Sequence, residues 1–157
     1  MFKRIQKIFF TRNIKKNLKK RTMFGVNDSL TTIGFLVNEE EHINFDIFFD
    51  MSIALGVQQK DTKIFSFTDI KTKTPTLIQN KIFSNHFNWR GEINNNNALD
   101  FLNTQLDVLV SYYDTKNNYL NLMTSKSKAK FKVGFKGVDN RLFDLIINVD
   151  PQKNLDV

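Results

Sequence analysis

The chain has 157 residues, 41% of them hydrophobic, with 23 Lys plus Arg against 16 Asp plus Glu and a net charge of +7. That length allows one domain and hardly two, and the composition excludes a mostly disordered or collagen-like chain. Zero Cys excludes disulfides, thiolate metal sites and cysteine catalysis, and two His are too few for most transition-metal sites, so neither a metal nor a cofactor is expected.

The charge is concentrated at the N-terminus. Lys3, Arg4, Lys7, Arg12, Lys15, Lys16, Lys19, Lys20 and Arg21 precede any acid, and the 14 basic residues that remain face all 16 acids. The basic character therefore belongs to an arm, taken as residues 1–24, and a single α/β domain is expected over 25–157. At about 100° per residue Phe2, Ile5, Ile8 and Phe9 fall on one side of a helix and Phe10, Ile14 and Leu18 on another. Ile8, Phe9 and Phe10 are only a fragment of a secretory apolar stretch, and no run approaches the roughly 20 residues of a membrane span. Three readings of the arm stay open: a solvated helix folded onto its own domain, contact with anionic lipid, or contact with RNA.

Leu30 to Val37 is rich in β-branched and aromatic residues and predicts a buried strand. Asn38 with Glu41 forms a capping-box spacing, which predicts a helix from there through Leu55 with Gly56 ending it. Lys63 to Thr68 alternates as a second strand. Residues 71–97 predict an irregular excursion with a short strand around Ser84 to Trp89. Asn97 is the expected N-cap of a helix over Ala98 to Thr104. Leu106 to Tyr112 predicts a strand, Asn117 to Ser125 a helix and Ala129 to Phe135 another strand. Leu142 to Val149 predicts a last strand or helix that periodicity does not settle.

This alternation predicts a mostly parallel sheet in a three-layer, Rossmann-like or flavodoxin-like domain. Such sheets bind ligands beyond the carboxyl ends of their strands. The candidate ligand-binding residues there are Asn38, Ser111, Tyr113, Asp114, Thr115 and Lys136. Asp114 is the one candidate general base, with the N-cap of the next helix as its alternative role. Neither GxGxxG nor GxxxxGK occurs. Lysines at 128, 130, 132 and 136 alternate with apolar residues, which predicts an edge strand guarded by lysines, with a phosphate or nucleic-acid surface as the alternative. His42 and His86 lack a second ligand at metal spacing. Trp89 and Arg90 suit a stacked cation-aromatic corner or a turn that anchors the excursion.

The stretches TIGFLVN at 32–38, NWRGEI at 88–93 and DVLVSYYDTKNNYLNLMTSKSKAKFKVGFKGVDNRLFDLIIN at 107–148 resemble a family of short proteins of unknown function widespread in Bacteroidota. The resemblance covers most of the chain after the arm. It implies a cytoplasmic protein with a Rossmann-like domain behind a basic segment, and it brings no established activity. Members of that family continue into a further C-terminal helix, whereas this sequence ends at Val157. A fainter similarity links the strand, helix and KAKFKVGF segment to the acceptor-side half of lipopolysaccharide heptosyltransferases, without the second domain that holds the nucleotide-sugar.

Two functions follow as expectations. One is a non-catalytic cytoplasmic module, peripheral to the inner membrane or bound to an RNA assembly, docked through the nine arm cations. The other is a small enzyme or ligand-binding domain that takes a phosphorylated or nucleotide-type ligand in the strand-end cleft. A last expectation concerns the apolar Leu142 to Val149. With no covering helix after it, one face must be covered by the arm, through Phe2, Ile5 and Phe9, or by a second copy in a homodimer.

Overall fold

The structure, a computed structural model, describes residues 2–22, 25, 27–40, 44–69, 80–113 and 116–150. Six strands make one sheet: β1 (Ile33–Asn38), β2 (Thr62–Thr68), β3 (Lys81–Phe83), β4 (Val108–Tyr112), β5 (Phe131–Phe135) and β6 (Leu145–Ile147). Their order is β3-β2-β1-β4-β5-β6 and every pairing is parallel. This is the Rossmann order, in which the chain starts at the centre and winds outward twice. It decides between the two expected α/β folds.

Among the described residues four α-helices cover the sheet: α1 (Phe2–Lys20), α2 (Asp46–Ala54), α3 (Asn96–Asn103) and α4 (Asn118–Lys126). Strand side chains alternate between faces, and β1 divides them. Leu36 joins a cluster with Phe10, Phe101, Leu102, Leu120 and Met123 from α1, α3 and α4. Ile33, Phe35 and Val37 join the opposite cluster, around Phe48 of α2. All six residues of β1 are buried, as a central parallel strand between two layers requires.

Local chemistry sets the helix ends. Asn117 caps α4 by accepting from the Leu120 N–H at 3.1 Å, and Asn95 caps α3 by accepting from Ala98 at 3.0 Å. The cap of α3 is thus two residues before the expected Asn97. The Asn95 amide also donates to the Lys81 carbonyl at 3.2 Å, which picks it out of the asparagine run. Gly56 follows the C-cap Leu55 with φ +83°, the left-handed stop expected from the sequence.

Three local expectations are corrected. Asn38 does not open a helix; it is the last residue of β1, in register with Phe67, and α2 begins at Asp46. Glu41 lies outside the described residues. The strand in the excursion is Lys81–Phe83, followed by a 3-10 turn over Ser84–His86, while Phe87 bridges Ile93 in antiparallel fashion. β5 is not the edge; β6 is, and Lys132 of β5 is buried.

α1 is part of the core. Phe10 is 2% exposed, its ring 5.4 Å from Tyr119 and 6.2 Å from Phe87. Ile14 and Leu18 pack on Val138, Leu142 and Phe143, beside Ile146 of β6. The arm thus reaches the cluster beside the last strand through Ile14 and Leu18 and not through the expected residues; Phe2 and Ile5 stay exposed and Phe9 meets Trp89 edge-on at 4.9 Å. The Arg90 guanidinium lies over the Trp89 ring, 4.8 Å from its centroid. On the α2 side Leu145 and Ile147 remain exposed.

Candidate functional site

Two places carry the sequence candidates: the carboxyl ends of the strands and the outer face of α1. At the strand ends a cavity of about 290 Å³ is lined by Asn38, Glu40, Phe67, Asp69, Lys116 and Tyr119, among others. Asn38 reaches it from the end of β1, and its side-chain oxygen accepts from the Glu40 N–H at 3.3 Å. Beside it Glu39 is held by Lys81 at 2.6 Å and accepts from Ser66 and Thr68, each at 3.2 Å. Among the described residues two carboxylates, Glu40 and Asp69, stand on the wall with one lysine, so this part of the wall carries no excess of positive charge for a phosphorylated ligand.

Ser111 and Tyr113 point elsewhere. Ser111 is fully buried and shares a hydrogen bond with the Thr124 hydroxyl at 2.9 Å, and Tyr113 meets the same hydroxyl at 2.8 Å. The Tyr113 hydroxyl also donates to Asn121 at 3.1 Å. Burial pushes the Tyr113 phenol far above its usual range, outweighing the hydrogen bonds from Thr124 and Ser111, so it stays protonated and ties β4 to α4. Lys136 is exposed just after β5 and does not line the cleft. Asp114 and Thr115 lie outside the described residues, as does His42. His86 accepts from the Phe83 N–H at 3.3 Å, and burial lowers its pKa, which keeps the imidazole neutral.

Sequence reasoning missed Asp69, Lys116 and Tyr119. Asp69 follows β2 directly, so the strand-end rule applied to the second strand would have found it. Among the described residues no three His, Asp or Glu side chains are grouped to hold a metal ion.

α1 presents the other surface. Asn13 donates to the Arg90 carbonyl and Asn17 donates to Ser125 at 3.0 Å, which fixes which side faces inward. Arg21, just past the helix, is clamped to Asp144. The eight other arm cations are exposed, and none has an acidic partner within 4.0 Å among the described residues. At 100° per residue Arg4, Arg12, Lys15, Lys16 and Lys19 share the side opposite Phe10 and Asn17. Ile5 and Ile8 lie on that same outward side, 40% and 57% exposed, with Phe2 beside them at the helix start. No helix among the described residues is long and apolar enough to cross a membrane.

Strand order, helices on both faces and a basic helix built into one layer define a doubly wound parallel α/β protein without a glycine-rich phosphate loop. Within that class the chain belongs to a family of unknown function, DUF6913, whose model matches residues 6–157. This agrees with the uncharacterised family expected from the sequence. No curated protein and no solved structure matches the chain.

Proposed function

We propose that this protein is a non-catalytic α/β module that docks on an anionic membrane surface through the outward side of α1. The observation that carries this reading is the pairing of five exposed, unneutralised cations, Arg4, Arg12, Lys15, Lys16 and Lys19, with exposed Ile5 and Ile8 on the outward side of one fixed helix. Cations alone serve lipid and RNA equally. Exposed isoleucines among them favour lipid, because an interfacial helix gains from burying apolar side chains at the acyl boundary and a phosphodiester backbone offers no such gain. Each cation near an anionic bilayer contributes about 1 kcal/mol, so these suffice for reversible docking.

Removing the arm is a poor test, because Phe10, Ile14 and Leu18 belong to the core. The informative variant keeps the helix: Arg4→Gln, Arg12→Gln, Lys15→Gln and Lys16→Gln together. It is expected to co-sediment far less with phosphatidylserine vesicles than the parent, with a loss approaching about 1,000-fold. Ile5→Ser with Ile8→Ser is expected to weaken vesicle binding while sparing any affinity for an RNA duplex. Equal sedimentation of the parent and the quadruple variant would overturn the reading. Retention of RNA with no vesicle binding would replace lipid by nucleic acid.

A further inference from the structure

A second cavity, of about 420 Å³, lies at the opposite end of the sheet from the strand-end cleft, between the end of α1, the end of α4 and the start of β5. Among the described residues its wall carries five cations, Lys20, Arg21, Lys126, Lys128 and Lys130, and no carboxylate. Two of the five are matched by acids at ion-pair distance, and Glu92 acts on Lys126 only from beyond 4.0 Å. Asp144 holds Arg21, while Asp28 and Asp107 hold Lys130 at 2.9 and 3.0 Å. Lys20, Lys126 and Lys128 have no ion pair among the described residues.

The helix ends do not account for them. Two helix C-termini meet here, each equivalent to about half a negative charge, so together they offset about one of the three positive charges. Two of the terminal carbonyls of α4 are also occupied: Met123 accepts from the Ser127 N–H and Thr124 from the Lys132 ammonium. About two positive charges remain around a concave, partly dehydrated space, and a phosphomonoester carries about −1.5 to −2 at neutral pH. Neutral donors stand on the same wall. Ser127 accepts from the Ala129 N–H at 3.1 Å, which leaves its hydroxyl proton to donate, and Gln105 and Thr22 complete the rim.

We propose that this cavity binds a phosphomonoester group, gripped by Lys20, Lys126 and Lys128 with Ser127 as a neutral donor. The site is separate from the outward side of α1 and stands or falls independently of membrane docking. Burial lowers the pKa of Lys126, with the charge of Glu92 opposing, and a bound dianion would raise it again. The rest of the lysine-rich segment divides as the sequence did not foresee. Lys128 serves the cavity, Lys130 an ion pair and Lys132 the interior.

Calorimetric titration of the full chain with inorganic phosphate, against sodium chloride at matched ionic strength, tests this directly. Saturable binding is expected, weakened about tenfold or more in Lys126→Gln with Lys128→Gln and unchanged in Arg4→Gln with Arg12→Gln. Should the double variant fail to fold, the exposed Lys128→Gln alone must still weaken binding. Phosphate behaving as chloride does, or binding indifferent to both substitutions, would overturn the proposal. Two vesicle types of equal charge, containing phosphatidylinositol 4-phosphate or phosphatidylserine, separate the sources. A preference for the monoester headgroup that Lys126→Gln with Lys128→Gln removes identifies a lipid, and phosphate binding without that preference identifies a soluble phosphorylated molecule.

Discussion

Arg21 and Asp144, 123 residues apart in sequence, form a two-armed ion pair in which Nη1 donates to Oδ1 at 2.9 Å and Nη2 donates to Oδ2. The same carboxylate accepts from the Lys132 N–H at 2.7 Å, and the Asp144 N–H donates back to the Lys132 carbonyl at 2.9 Å. One aspartate thus pins the end of α1, the middle of β5 and the residue before β6. Both side chains are largely buried, 15% and 10% exposed. Arg21→Gln leaves a poorly solvated carboxylate with one backbone donor, so a loss of about 2–3 kcal/mol is expected, below the range for a fully buried pair. Urea unfolding measures it, and a change within about 0.5 kcal/mol, ordinary for a surface site, would contradict the clamp.

How much of this was legible in the sequence differs between kinds of element. The strands at the centre were readable because a parallel sheet covered on both faces demands nearly continuous apolar runs, and LTTIGFLV and LDVLVSY are such runs. α4 was readable from Asn117, whose side chain makes the expected cap. Asn38 misled, since an asparagine that ends a strand and one that caps a helix have the same short-range signature, and the register with Phe67 is set by β2, 29 residues away. The Lys128 to Lys136 pattern misled for another reason: alternation shows that cations share a face, and whether that face meets water depends on α4 packing over it. Of the cleft candidates, Asn38 reaches the strand-end cavity. Ser111 and Tyr113 turn inward because the strand alternates and α4 supplies Thr124 as their partner.

Lys132 gives a pH signature. Its ammonium donates to the Thr124 carbonyl at 2.6 Å, and the residue is 1% exposed. Burial, then the like charge of Arg21, pushes its pKa down from 10.5 to about 7, with Asp144 partly opposing. Between those values the unfolded chain binds the proton and the folded chain releases it. Stability therefore rises with pH across about 7 to 10.5, and the penalty is full below about 7. Lys132→Met removes the group, so the stability of the parent relative to this variant should climb from pH 7 to pH 9 in urea titrations. Parallel pH profiles for the two proteins would rule this out.

Asp107 predicts the opposite dependence. Its Oδ2 accepts from the Thr31 N–H at 2.9 Å, the Thr31 hydroxyl at 2.7 Å and the Thr32 N–H at 2.9 Å, and Lys130 stands 3.0 Å from Oδ1. Burial raises the carboxyl, but these donors outweigh it and hold the group well below the usual carboxylate range. A depressed folded pKa contributes stability that is present above the unfolded value, about 3.9, and fades as pH falls below it. Asp107→Asn is expected to lose about 2–3 kcal/mol at pH 7, because one amide cannot replace a carboxylate shared by four donors of Thr31 and Thr32 and an ammonium. The gap should narrow in acid. A gap of the same size at pH 7 and at pH 3 would show that its charge is irrelevant.

Gly134 tests whether α1 and the end of the sheet form one packed unit. A Cβ on Gly134, in the middle of β5, would stand 2.8 to 2.9 Å from three atoms of the Phe143 ring, so the ring lies flat on the glycine. That ring shares a cluster with Val138 and Leu142, against which Ile14 and Leu18 of α1 pack. An alanine there forces the ring away, and an overpacked core of this kind loses about 1–3 kcal/mol. The consequence should reach α1, since the surface under Ile14 and Leu18 moves with Phe143. Hydrogen exchange on Gly134→Ala is therefore expected to show faster exchange at residues 14–18 of α1 as well as in β5 and β6, while the α2 side of the sheet, built on Phe35 and Phe48, keeps its protection. Faster exchange confined to β5 and β6 would mean that α1 is held by Phe10 and α4 alone.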